Sequence, residues 1–157
     1  MSDSLVTESA YNLNLPVKHL LQRAPVFIDA DASVGAAAST MQQAGIGSVL
    51  IAGDLPGIIT DRDLRGRVLA AGLGPDAPVS QVMSRPVKTI DVNAPIFAAL
   101  QLMLENNIHH LPVVDAATII GVISGTDLLR HQINNPLYLR RTLDQLQDPS
   151  VLGNYAN

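Results

Sequence analysis

Two short segments hold the residues of greatest chemical interest: Gly57-Ile58-Ile59-Thr60-Asp61-Arg62-Asp63 and Gly121-Val122-Ile123-Ser124-Gly125-Thr126-Asp127. Each runs from an apolar, β-branched stretch into a polar one, so a hydroxyl is expected where a strand becomes a helix. Backbone N–H groups are free at such a point and the helix dipole is positive, which favours a phosphate. The hydroxyl of Thr60 or Ser124 can add a hydrogen bond to that phosphate. Asp63 or Asp127, one turn into the helix, offers a carboxylate that can accept from both hydroxyls of a ribose.

A hydroxyl residue followed three positions later by an acid is also a capping box, which needs no ligand. That reading suffices for one isolated instance. A capping box asks nothing of the residue before it, yet both segments carry Gly three positions upstream, where a small residue admits a ligand or another backbone. Duplication with that glycine favours ligand binding, and the two roles are compatible.

Other candidates lie nearby. His109 and His110 precede an apolar run, and an imidazole there can contact a phosphate or remain a surface histidine. No metal site is expected, because adjacent residues of a strand point to opposite faces. Arg62, Arg65 and Arg67 follow the first segment but only Arg130 follows the second, which places the stronger phosphate attraction near the first. A solvated helix face is the alternative for these arginines. No nucleophile with a base and an orienting group is visible, nor any Walker-type or dinucleotide-type glycine loop, so no catalytic residue is expected. Met41 and Met103 read as core.

The paired segments belong to a longer repeat. Val17–Ala52 aligns with Val79–Val114 at one constant offset, matching Arg23 with Arg85, Ile28 with Ile90, Met41 with Met103 and Ile46 with Ile108. An insertion at Ala116–Ala117 follows, after which the register resumes through the two chemical segments. In each copy an extended piece (Val26–Ile28 or Lys88–Ile90) precedes a cap residue, Asp31 or Asn93, and a helix. Val34, Ala37, Ala38 and Met41, like Ile96, Ala99, Leu100 and Met103, have the spacing of one apolar helix face. Gly45 and Asn106–Asn107 supply left-handed helix ends. Two strands and a second helix complete each copy.

The expected fold is therefore mixed α/β (α+β), with two pseudo-twofold-related β-α-β-β-α units forming one compact module. Its parts are an N-terminal segment 1–16, the repeats 17–71 and 79–131, a Gly/Pro-rich linker 72–78, and a C-terminal helix and tail 132–157. That helix is expected from Asn135-Pro136, with Leu139, Leu143 and Leu146 on one face, to Asp148-Pro149.

Composition narrows the partners. Of 157 residues 47% are hydrophobic but only 3% aromatic, so aliphatic side chains must build the core. A net charge of −4 without a basic run argues against nucleic acid and anionic membranes. Absence of Cys excludes disulfides and thiolate metal sites. No apolar run approaches the roughly 18 residues of a membrane span, and Met1–Tyr11 lacks the pattern of a signal peptide. A cytoplasmic location is the expectation.

At these residues the chain resembles the CBS-domain family. The resemblance rests on the paired Gly-h-h-[Ser/Thr]-x-x-Asp segments (h, hydrophobic), the Leu111-Pro112-Val113-Val114-Asp115 run, and Val82-Met83-Ser84-Arg85-Pro86-Val87 at the entry to the second copy. It covers about Val17–His131. It implies a regulatory, non-enzymatic module whose two inter-repeat clefts bind an adenine nucleotide (AMP, ADP or ATP), with no required cofactor. Two modules are implied to form a homodimer that controls an attached or partner effector. Carried over by position, Thr60, Arg62 and Asp63 serve one cleft, with Thr89, Ile108 and His109 of the other repeat as walls. Ser124, Thr126 and Asp127 serve the second, with Phe27, Ile46 and Gly47, and His110 approaches phosphate. The tail Asn134–Arg141 is similar to the segment after the CBS pair in bacterial signal-transduction proteins with cyclic-nucleotide-binding-like and nucleotidyltransferase-like domains. A dimerisation scaffold in which both motifs are only caps is the rival reading.

Overall fold

A computed structural model describes residues 13–133, and the expected C-terminal helix lies outside them. The first repeat contains β1 (Phe27–Ile28), α1 (Val34–Ala44), β2 (Ser48–Ile51), β3 (Gly57–Thr60) and α2 (Asp61–Asp63), which continues as a π-helical stretch Leu64–Leu69. The second contains β4 (Ile90–Asp91), α3 (Ile96–Asn106), β5 (His110–Asp115), β6 (Thr118–Ser124) and α4 (Gly125–Ile133). Two three-stranded sheets result, β1-β2-β3 and β4-β5-β6. The β-α-β-β-α reading holds in both copies.

In each sheet the first strand is parallel to the second, across a helix, and the second is antiparallel to the third through a short turn. The register sets Ser48 opposite Thr60 and His110 opposite Ser124. Each candidate hydroxyl thus stands at a hairpin end, beside the start of the neighbouring strand. The insertion Ala116–Ala117 forms the tight turn of the second hairpin, both residues having positive φ (44° and 69°).

Both α1 and α3 start two residues later than expected. The N-cap of α1 is Ser33, whose hydroxyl accepts from Ala36 N, rather than Asp31, and the N-cap of α3 is Pro95 rather than Asn93. Backbone carbonyls from the segments leading into the repeats satisfy the first helical N–H groups. Val34 and Gly35 donate to Ala77 and Pro75, while Ile96 and Phe97 donate to Leu15 and Leu13. Asn93 instead closes a turn, its N–H donating to Asp91 Oδ1. Both helices end as expected, with Gly45 (φ 62°) and Asn107 (φ 51°) left-handed. Val34, Ala37 and Met41 are buried on α1, as are Ile96, Ala99 and Met103 on α3.

Two hydrophobic cores form, and each borrows from the other repeat. The 3₁₀ turn Val17–Leu20 places Val17 and Leu20 among Ile90, Ile96, Leu111, Val113 and Ile123. Its counterpart Val79–Gln81, with Val82, packs on Val34, Val49, Ile51 and Ile59 of the first repeat. This exchange explains how two small units make one body: each core is closed by a turn from outside its own sheet.

Candidate functional site

Both capping boxes are formed. Thr60 N and Thr60 Oγ1 donate to Asp63 Oδ2 at 2.9 and 2.8 Å, and Asp63 N returns a bond to Thr60 Oγ1 at 3.3 Å. Ser124 and Asp127 repeat the pattern at 2.7, 2.8 and 3.3 Å. One oxygen of each carboxylate is therefore committed. The other oxygen of Asp63 meets Arg67 Nε at 3.4 Å, whereas that of Asp127 has no hydrogen-bond or ion-pair partner among the described residues. Capping and a remaining acceptor coexist.

The upstream glycines have a different reason from the one expected. A Cβ on Gly57 would lie 2.6 Å from Met83 Sδ, and one on Gly121 would lie 2.5 Å from Leu21 Cδ2. Leu21 and Met83 are equivalent in the repeat. The missing side chains therefore make room for a packed residue of the exchanged segments, not for a ligand.

The two motifs open into one cleft of about 960 Å³ between the repeats. Thr60, Arg62 and Asp63 line it from the first repeat, together with Ile46 and Gly47. Ile108, His109, His110, Ser124, Thr126 and Asp127 line it from the second. Phe27 and Thr89 do not line it: Phe27 pairs with Leu50 and is 44% exposed, and Thr89 is exposed just before β4. Each motif is pinned to the loop beside it, Asp61 N donating to Gly47 O at 3.0 Å and Gly125 N to His109 O at 3.1 Å. Arg62 crosses between repeats, its guanidinium donating to Asn107 O at 2.7 Å.

The cleft gathers positive charge in an acidic chain. Arg23, Arg62, Arg65, Arg67, Lys88 and Arg130 line it against Asp61, Asp63 and Asp127. Sequence reasoning gave no role to Arg23 or Lys88; the match of Arg23 with Arg85 was visible but marked only the repeat. Arg67 is held by Val82 O and Ser84 Oγ as well as Asp63. Arg62 and Arg23 donate to neutral carbonyl oxygens, so those contacts orient their charges without cancelling them.

His110 sits where the halves meet. A Cβ on Gly47 would lie 2.9 Å from His110 Nε2 and 3.7 Å from Asp61 Oδ2, so the imidazole reaches from β5 to the loop before β2. Burial holds the ring below the ordinary histidine pKa; Asp61 and Asp127 oppose that shift, while His109 and Arg62 reinforce it. The ring is consequently neutral at neutral pH. Among the described residues no group of three His, Cys, Asp or Glu side chains could hold a metal, and no helix is long and apolar enough to cross a membrane.

Comparison with known proteins agrees with this architecture. The CBS-domain profile matches residues 17–70 and 79–134. The CBS domain-containing protein YhcV of Bacillus subtilis is 32% identical over 121 residues, covering 76% of this chain and 86% of that protein. The crystal structure of a CBS-domain protein from Agrobacterium tumefaciens is similar at 30% identity and a TM-score of 0.70, over 76% of this chain and 95% of that one. A CBS-domain protein of Pyrobaculum aerophilum, complexed with AMP, shares the fold at 22% identity and a TM-score of 0.67, over 81% of this chain and 97% of that one. With two matched repeats, exchanged turns and a shared cleft, the chain belongs to the CBS-domain family and is a tandem CBS regulatory module.

Proposed function

We propose that the module senses an adenine nucleotide in the inter-repeat cleft and thereby controls an attached or partner effector. The observation that carries this reading is the convergence, in one cleft of an acidic chain, of both hydroxyl–carboxylate motifs with six Lys and Arg side chains. Phosphate is held by a Thr60 or Ser124 hydroxyl, adjacent backbone N–H groups and the arginines. Ribose hydroxyls donate to the carboxylate oxygen that the cap leaves over. Ile46 and Ile108 supply apolar walls for the base. The AMP of the Pyrobaculum fold neighbour supports the ligand class. A bound nucleotide biases the effector only by its difference in affinity between two arrangements of the repeats or of paired modules.

The test is calorimetric titration of AMP, ADP and ATP into the chain. Saturable heat, lost in an Asp63→Ala or Asp127→Ala variant that remains folded, is the expected result; no heat with any nucleotide sinks the proposal. Incubation with ATP and Mg²⁺ should leave the nucleotide intact, since the reading needs no turnover.

A dimerisation scaffold is the second reading. The boxes are complete without ligand, and Phe97 and Leu104, on one face of α3, are 54% and 73% exposed. A homodimer through such helices is compatible with the sensor as well, so nucleotide binding separates the two readings and oligomeric state does not.

A further inference from the structure

The two halves of the cleft are not equivalent, and the difference centres on one side chain. The residue equivalent to His110 in the first repeat is Ser48, buried and short. The residue equivalent to His109 is Gly47. On one side, therefore, an imidazole crosses from β5 and fills the notch beside Gly47, its Nε2 standing 2.9 Å from where a Cβ would be. The mirror position holds a hydroxyl too short to cross between repeats.

The halves differ in charge as well. Arg62, Arg65 and Arg67 follow Thr60, while Arg130 alone follows Ser124 among the described residues. Arg62 also bridges to Asn107 O, tying the Thr60 helix start to the loop that carries Ile108. At the other helix start the equivalent residue is Thr126, which has no such reach.

We propose that His110 is the specificity-determining residue of the cleft, restricting it to one nucleotide per chain, seated against Thr60 and Asp63, while the half at Ser124 and Asp127 stays unfilled. The inference rests on the nucleotide-binding reading above. Two arguments support it. The ring occupies the space beside Gly47, the residue that the CBS-domain resemblance assigns to the second half. A phosphate in the first half also approaches a ring flanked by Asp61, Asp127, Arg62 and His109, and a second phosphate on the other side would face the first across that ring.

Stoichiometry tests this directly, with AMP as the probe. Wild type should bind one AMP per chain. Asp63→Ala should weaken it at least about tenfold, the worth of a hydrogen bond to a charged group. His110→Ser, which installs the residue of the first repeat, should admit a second AMP that is lost again when Asp127→Ala is added. Two equal AMP sites in wild type, or a His110→Ser variant that still takes only one, overturn the assignment. Absence of AMP, ADP and ATP binding in wild type overturns the nucleotide reading itself, and with it this one.

Discussion

Replacing Asp63 with Ala separates the two roles that its carboxylate can play. In the absence of ligand Asp63 Oδ2 accepts from Thr60 N and Oγ1, and both bonds disappear in the variant. The Thr60 cap on the N–H of residue 63 survives, and losing the N3 half of the capping box costs about 1 kcal/mol, within a range of roughly 0.5–1.5. Removing a negative charge from the first helical turn adds about 0.3–1 kcal/mol. The Arg67 contact at 3.4 Å adds little, because that side chain is 52% exposed. The sum is about 1.5 kcal/mol, which with a urea slope of roughly 2 kcal/mol per molar lowers the midpoint by about 0.7 M. Asp63→Asn keeps an amide oxygen for Thr60 and should recover more than half of that loss. Urea denaturation followed by circular dichroism, without nucleotide, gives the readout. A midpoint for Asp63→Ala within about 0.1 M of wild type would refute the argument, since the box would then not be holding the start of α2.

Two further outcomes follow from particular backbone and side-chain geometries. Ala117 has a φ of 69° in the β5–β6 turn, so Ala117→Gly should raise the urea-unfolding free energy by about 1 kcal/mol as the left-handed strain is relieved; a loss of stability would show the turn to be formed otherwise. His110 has its folded pKa below the ordinary 6.5, so the unfolded chain binds more protons and stability rises with pH. The full contribution is present above about pH 6.5 and is lost as pH falls below it. His110→Ser should flatten that acid limb in a pH series of denaturation midpoints, and an unchanged slope would place the effect elsewhere.

The repeat, both apolar helix faces and the hairpin ends were legible because they rest on local pattern. Met41 and Met103, spaced with Val34 and Ile96, are buried as their periodicity requires. Thr60 and Ser124 reached the cleft because a β-branched run followed by a capping box can only put the hydroxyl at the strand-to-helix junction. What stayed hidden was non-local. Asp31 and Asn93 looked like caps, but the N–H groups they would have served are taken by carbonyls from Leu13, Leu15, Pro75 and Ala77, which no local signal reveals. Gly57 and Gly121 looked like ligand doors because the partners that need the space, Met83 and Leu21, lie in distant segments. Arg23 and Lys88 became cleft residues only through tertiary packing.

The exchanged turns carry a consequence for how the module folds. Val17 and Leu20, 0% and 2% exposed, complete the core of the second repeat although their sequence register belongs to the first. Burying two such side chains contributes roughly 3–6 kcal/mol, and the carbonyls of Leu13 and Leu15 also serve the first N–H groups of α3. A typical domain retains only about 5–15 kcal/mol in total. A fragment of residues 79–133, which has the whole second sheet and its helices, should therefore lack cooperative structure. Addition of a peptide of residues 13–23 in trans should restore helical ellipticity, because it returns both core side chains and the missing carbonyls. A chain of residues 13–133 should unfold in one transition seen alike by circular dichroism and by exchange of amides in both sheets. If 79–133 folds alone with the stability of the pair, the turn is only an accessory strap; if it folds only with the peptide, the repeat drawn by sequence register is not the unit that folds.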